Sequence, residues 1–337
     1  MEKTKVLVTL PKGSIRDTFF TNMVLNNLNN IYDYEFIWNE DNRQFSHEEL
    51  KKSLIDKDAC IVGWGCNKID SPILNNAEKL KFIGVLGGEV NPYIDEYFFD
   101  YGDRVIVNSA NVMAKSVAEA TIAYIMSAMR DIPYYDYVLK HEKGWRSETY
   151  YNEGLFNKTV GLIGLGQVGR YLIEYLRPFN VQFLVYDPYV DAKSIKYDNV
   201  KLTNINEVIG MSKIISIHAA LTKDTYHMIN KDILERIKDG STLINTARGS
   251  IIDEEALVIE LKKKRFKAVL DVYETEPLSD NSELRNLNNV ILIPHMAGPT
   301  IDMRQYMTLE LIDNMLVFFK GGEPKGKINR DKFKIMT

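Results

Sequence analysis

The stretch TVGLIGLGQVGRYLIEYL, residues 159–176, decides the fold. An apolar, β-branched run ends at Gly164, and Gly164, Gly166 and Gly169 then fall in G-x-G-x-x-G spacing ahead of a segment with helical period. In a strand-turn-helix unit the first glycine makes the tight turn and the second lets backbone approach a pyrophosphate. The third brings helix and strand close together. The N–H groups at the start of the helix can then face the phosphates. Eighteen residues beyond Gly169, the next apolar run ends in Asp187, whose carboxylate can accept hydrogen bonds from adenosine ribose hydroxyls. Pro188, Tyr189, Val190 and Asp191 follow without an Arg or Lys to receive a 2′-phosphate, so the expected cofactor is NAD.

Outward from that stretch, short apolar runs alternate with longer segments of helical period. In the second half TVGLIG (159–164), VQFLVYD (181–187), KIISIH (213–218), STLINT (241–246), AVLDV (268–272) and VILIPH (290–295) read as strands. In the first half VLVTL (6–10), YEFIW (34–38), ACIVGW (59–64), LKFIGVL (80–86) and RVIVNS (104–109) do the same, with helices near 17–30, 47–55, 71–78 and 93–101. A long helix over 114–131 joins the two series. Alternation of this kind implies β-α-β units, so the fold class is α/β, with two parallel-sheet modules in one chain. No fixed-period repeat or low-complexity tract marks a third module.

The 337 residues leave room for two domains, and 45% hydrophobic with 26% charged residues is a globular composition. Forty-two basic residues against 46 acidic give a net charge of −4, and KKKR (262–265) sits at a helix end, where cations favour the dipole. Nucleic acid is therefore not an expected partner. Cys60 and Cys66 do not form a C-x-x-C pattern, so no metal is expected and reduced, cytoplasmic thiols are the simplest reading. MEKTKVLVTL is too short and too charged for a signal peptide, and no apolar run reaches 18 residues, so no membrane segment is expected.

TVGLIGLGQVG, YDP, SIHAALTKDTYHMIN, LINTARGSIIDEEAL, LDVYETEPL and PHMAGPT occur in that order, and from about residue 60 onward the chain resembles the D-isomer-specific 2-hydroxyacid dehydrogenase family. The resemblance implies two Rossmann-like domains, one flavodoxin-like and one an NAD-binding Rossmann domain, with the active site in the cleft between them. The catalytic, substrate-binding domain would be discontinuous, residues 1–109 plus 300–337, around an NAD-binding domain at 110–299. It further implies a homodimer. NAD contacts would come from Gly164, Gly166, Gln167, Val168, Gly169, Asp187, His218, Ala219, Thr225, Thr246, Ala247, Arg248, Asp271, His295 and Gly298. Asp271 matches the aspartate that meets the nicotinamide carboxamide, while His218 matches a position beside the cofactor or is structural.

Three residues would carry the chemistry. Arg248 of NTARGS matches the family's substrate-clamping arginine, Glu276 of YETEPL its glutamate, and His295 of PHMAG its acid/base histidine. A guanidinium grips a 2-oxo carboxylate through two parallel hydrogen bonds, which a lysine does less well. An imidazole titrates near neutral pH and can exchange a proton with the substrate oxygen. A carboxylate bonded to that imidazole fixes its tautomer. Glu276 is preferred to Glu274 because the family's glutamate immediately precedes a proline.

Substrate contacts are expected from Leu86, Gly87 and Gly88 together with Arg248 and His295. The stretch GVLGGEVNPYID (84–95) departs from the family's glycine-rich turn, being one residue longer and carrying Glu89. Either Glu89 faces away from an anionic substrate or the substrate is unusual. Trp64, Tyr93, Trp145, Tyr150 and Tyr151 either shape a pocket or pack. The resulting expectation is an NAD-dependent 2-oxoacid reductase acting on a small 2-oxo or 2-hydroxy acid. 3-Phosphoglycerate is disfavoured, because no regulatory domain follows and the first module shows no arginine cluster. The alternative from another class is an NAD(H)-sensing, corepressor-like protein with little turnover.

Overall fold

A computed structural model describes residues 2–146 and 152–335; Tyr150 and Tyr151 lie outside the described residues. The chain forms two compact units, Met1–Met113 with Pro299–Thr337, and Ala114–Gly298.

In the first unit the strands β1 (Thr4–Val8), β2 (Tyr34–Trp38), β3 (Ala59–Val62), β4 (Phe82–Val85) and β5 (Val105–Asn108) form one parallel sheet in the order β2-β1-β3-β4-β5. This is a doubly wound, flavodoxin-like order. β3, β4 and β5 are buried at every position, which is why they read as unbroken apolar runs: both faces of the sheet are covered. Leu7, Cys60, Ile83 and Ile106 enter one core, and Val8, Ile61, Phe82 and Val107 the other. The C-terminal helix Arg304–Phe319 closes that second core with Met307, Leu311 and Met315, spaced four residues apart on one face.

Local chemistry sets the helix ends. Ser46 and Glu49 form a capping box at the head of His47–Ser53, and Asp70 caps Ser71–Asn76. The helix expected over 17–30 is two, Ser14–Phe19 and Asn22–Asn29, because Phe20 leaves helical geometry (φ −112, ψ 62) and Thr21 is extended. Over 93–101 only a short 3-10 turn forms, Glu96–Asp100, capped by Asp95. Cys60 and Cys66 are free and buried. Burial pushes the Cys60 thiol up and the Cys66 thiol to about 11.

The helix Ala110–Met129, four residues longer at its start than expected, carries the chain into the second unit. There β6 (Thr159–Ile163), β7 (Gln182–Tyr186), β8 (Val200–Leu202), β9 (Ile214–Ile217), β10 (Thr242–Asn245), β11 (Lys267–Leu270) and β12 (Val290–Leu292) form a parallel sheet in the order β12-β11-β10-β9-β6-β7-β8. The order reverses between β6 and β9, the switch point at which such sheets bind ligands outside their carboxyl ends. β8 escaped the sequence reading because it is a three-residue edge strand with an exposed lysine at its centre. The strand expected to run to His295 ends at Leu292. Pro294 has no N–H to offer a ladder, and His295 turns into left-handed backbone (φ 51). No helix among the described residues is long and apolar enough to cross a membrane.

Candidate active site

At the switch point of the second unit, Gly164 follows β6 with φ 94, and a Cβ there would lie 2.6 Å from the Ala219 backbone nitrogen. Only glycine satisfies both the dihedral and the approach of the Ala219 strand end. Gly166 is the N-cap of the helix Gln167–Leu176; no side chain occupies that cap, and no heavy atom lies within 4 Å of where its Cβ would be. The helix N–H groups therefore open onto space that a pyrophosphate can fill, and the positive end of the helix faces it. Asp187, just past β7, accepts from the Leu165 N–H at 2.7 Å and the Tyr189 N–H at 2.9 Å, which ties its carboxylate to the glycine turn itself. These residues fit NAD.

Of the other expected cofactor residues, Gln167, Val168 and Gly169 lie in that helix and the rest on the loops after β9, β10, β11 and β12. His218 bonds through Nε2 to Ser216 Oγ at 2.9 Å, and burial pushes its imidazole down to about 4, so it is neutral at physiological pH. The Thr225 hydroxyl accepts from the Thr222 N–H and donates to the Ala220 carbonyl, both at 2.7 Å, closing the turn after β9. Thr246 is buried beside Thr121, with hydroxyls 3.3 Å apart, and the Ala247 carbonyl accepts from Arg248 Nη1 at 2.7 Å. Asp271, expected at the nicotinamide, is 1% exposed. Its carboxylate accepts from the Met296 and Ala297 N–H groups at 2.8 and 2.9 Å and from the Tyr124 hydroxyl at 3.3 Å, and its carbonyl accepts from the His295 N–H at 2.8 Å. Its observed work is to fix the turn that carries His295. Burial, with Asp271 beside it, raises the Tyr124 phenol.

His295 and Glu276 are brought together. Nδ1 lies 2.6 Å from Glu276 Oε2, and Glu276 Oε1 accepts from the Tyr273 N–H at 3.1 Å. With Nδ1 donating to a carboxylate, Nε2 is the nitrogen left to exchange a proton. The pair borders a pocket of about 620 Å³ walled also by Tyr273, Leu292 and Pro294. Arg248 is extended (φ −141, ψ 142), and its carbonyl accepts from Asn245 Nδ2 at 2.9 Å. Next to it, Gly249 packs on the 273–274 peptide so tightly that a Cβ would sit 1.9 Å from the Tyr273 carbonyl carbon. The turns bearing Arg248 and Glu276 are thereby in backbone contact.

In the first unit the Leu86–Gly88 turn follows β4. The Gly87 N–H donates to Val85 O at 2.9 Å, the Gly87 carbonyl accepts from the Ser109 N–H at 3.0 Å, and Asn108 Nδ2 donates to the Gly88 carbonyl. Glu89 is half-buried. It contributes, after burial and Cys66, to pushing the Tyr93 phenol up to about 12. Of the aromatic candidates, Tyr93 is buried, Trp64 packs edge-on against Phe19 with the Arg304 guanidinium 4.9 Å from its ring, and Trp145 is 76% exposed.

Three site features escaped the sequence reading: Asp271 as an anchor, Asn108 as the brace of the Gly88 carbonyl, and a second imidazole–carboxylate pair, His227 with Glu274. Glu274 and Glu276, two apart, bond different histidines, Glu274 meeting His227 and Glu276 meeting His295. Among the described residues no group of His, Cys, Asp and Glu could hold a metal ion.

Residues 122–297 match the family described as "D-isomer specific 2-hydroxyacid dehydrogenase, NAD binding domain". The glyoxylate reductase of Thermofilum pendens is 35% identical over 298 residues, 86% of this chain and 86% of that protein. The D-3-phosphoglycerate dehydrogenase of Archaeoglobus fulgidus is 33% identical over 285 residues, 84% of this chain but 54% of that protein. The NAD-complexed D-isomer specific 2-hydroxyacid dehydrogenase of Lactobacillus delbrueckii ssp. bulgaricus shares the fold with a TM-score of 0.80 at 23% identity, covering 97% of this chain and 100% of that one. With its glycine turn built for NAD and these matches over most of its length, the chain belongs to the D-isomer specific 2-hydroxyacid dehydrogenase family, NAD-dependent oxidoreductases of hydroxy acids.

Proposed function

We propose that this chain reduces small 2-oxo acids of the glyoxylate and hydroxypyruvate type with NADH to 2-hydroxy acids, of D configuration where C2 is a stereocentre. The observation that carries the reading is the 2.6 Å bond between His295 Nδ1 and Glu276 Oε2 on a turn locked by Asp271. Bound NADH supplies the hydride. Arg248 takes the substrate carboxylate and polarises the adjacent ketone, and the Leu86–Gly88 turn of the first unit contributes substrate contacts. His295 delivers a proton from Nε2 to the substrate oxygen, while Glu276 holds the ring by Nδ1 and balances the imidazolium before transfer. The Gln167–Leu176 helix start binds the pyrophosphate, Asp187 the ribose, and the loops with His218, Ala219, Thr225, Thr246, Ala247 and Gly298 the rest of the cofactor.

The protein works as a homodimer in the cytoplasm. The dimer rests on a run of exposed apolar side chains, Ile132, Tyr134, Tyr137, Leu139 and Trp145, 50–76% exposed. Steady-state NADH oxidation with pyruvate, glyoxylate, hydroxypyruvate, 2-ketoisocaproate and phenylpyruvate tests the reading. Turnover on the smallest acids is expected; tight NADH binding without turnover on any of them would instead mark an NAD(H) sensor.

A further inference from the structure

We infer that His227 and Glu274 are positioning residues, an imidazole–carboxylate clamp that holds the Arg248 turn against the Glu276 turn. The inference rests on the reading of Arg248 and Glu276 given above. β9, β10 and β11 are parallel neighbours, and their ladders end at Ile217, Asn245 and Leu270. Beyond those ends sheet pairing no longer fixes the loops, so the register of one functional turn against the next needs other ties.

Several such ties converge on His227. Its N–H donates to the Ser250 carbonyl at 2.8 Å, and just after it Ile229 pairs with Ile252, with the Ile229 N–H donating to Ile251 O at 3.0 Å. The loop after β9 is thus laced to the segment that follows Arg248. The His227 ring then reaches the next loop, where Nε2 bonds Glu274 Oε1. Glu274 is fixed from its other side, its N–H donating to Glu254 Oε2 at 3.1 Å. Gly249 lies on the 273–274 peptide between these ties, with no room even for a methyl group.

The imidazole is itself held in place. Tyr226 stacks on it at 4.1 Å and 12°, and His227 sits in left-handed backbone (φ 50), a conformation that a non-glycine residue keeps only when its surroundings impose it. One histidine therefore meets all three loops, bonding to two of them, and the carboxylate it grips is two residues from the one that holds His295. Loss of the clamp should let the Arg248 and Glu276 turns slide past each other while the glycine turn at Gly164–Gly169 stays as it is.

The test compares H227A, E274A, the double variant and H227Q with wild type and R248K, measuring KM for glyoxylate, kcat, and NADH affinity by fluorescence. H227A and E274A should each raise KM for the oxo acid about tenfold or more, with a much smaller change in NADH affinity. The double variant should be no worse than the poorer single, because both act on one clamp. H227Q, whose amide nitrogen can take the place of Nε2, should recover most of the loss, which a purely structural role would not predict. Should H227A melt early, E274M keeps most of the side chain's volume, cannot accept the bond, and gives the same readout. An unchanged KM, additive losses, an equal loss of NADH affinity, or H227Q no better than H227A overturns the clamp while R248K remains impaired. If R248K itself is unimpaired, the reading of the site has failed and the clamp falls with it.

Discussion

The two parallel-sheet units differ in how they present functional groups at their carboxyl edges. In the second unit the candidate groups are side chains held in place by further hydrogen bonds: Glu276 bonds His295, Asp271 bonds the turn beneath it, and Asp187 bonds the glycine turn. In the first unit the Leu86–Gly88 turn offers backbone, braced by Ser109 and Asn108. Side-chain chemistry demands particular residue types at particular spacings and leaves a motif. Backbone sites leave almost none, because many sequences can make the same turn.

The comparison predicts unequal effects of substitution. R248K in the second unit should lower kcat/KM for glyoxylate by about 100-fold with NADH binding intact, since an ammonium cannot keep the planar two-bond grip. Unchanged kinetics would remove Arg248 from the site. N108A, which releases the Gly88 carbonyl in the first unit, should raise KM for the oxo acid by about tenfold and leave NADH affinity alone. A larger effect than that of R248K would reverse the comparison, making the backbone turn the main anchor. D187A should narrow the preference for NADH over NADPH by about fivefold to 100-fold, by relieving repulsion of a 2′-phosphate worth about 1 to 3 kcal/mol; a preference that does not move would place Asp187 away from the ribose.

A smaller effect concerns stability. Desolvation pushes the half-buried His218 imidazole down to about 4, against about 6.5 in an unfolded chain, so between these values the folded state binds fewer protons. Its contribution is complete above about pH 6.5 and is lost as pH falls toward 4. Urea midpoints should therefore drop from pH 7 to pH 5 in wild type and drop less in H218Q; equal drops would show that His218 is solvated. The first unit should show no counterpart at its thiols. Cys60 and Cys66, buried with raised thiols, should resist iodoacetamide at pH 8 until the chain is unfolded.

The same contrast explains what was legible in the sequence. The central strands β3, β4, β5, β9 and β10 announced themselves because two-sided burial makes them continuous apolar runs, and the glycine turn because Gly164 has no substitute. β8 and the break at Phe20–Thr21 were not legible: a three-residue edge strand buries little, and a helix break needs only one residue to leave helical dihedrals. Arg248, Glu276 and His295 stood out through ordered motifs, but their partners did not. Asp271 and Asn108 act by bonding backbone groups distant in sequence, and His227 meets Glu274 across 47 positions, so no local spacing records either arrangement.

In the proposed reaction His295 moves the proton while the glycine-turn edge binds the cofactor independently. The most direct measurement is H295Q, assayed for NADH oxidation with glyoxylate beside a fluorescence titration of NADH. In H295Q kcat should fall by about 10² to 10⁴ at every pH while NADH affinity stays within about twofold of wild type. Turnover within about threefold of wild type, or loss of NADH binding in step with activity, would contradict it.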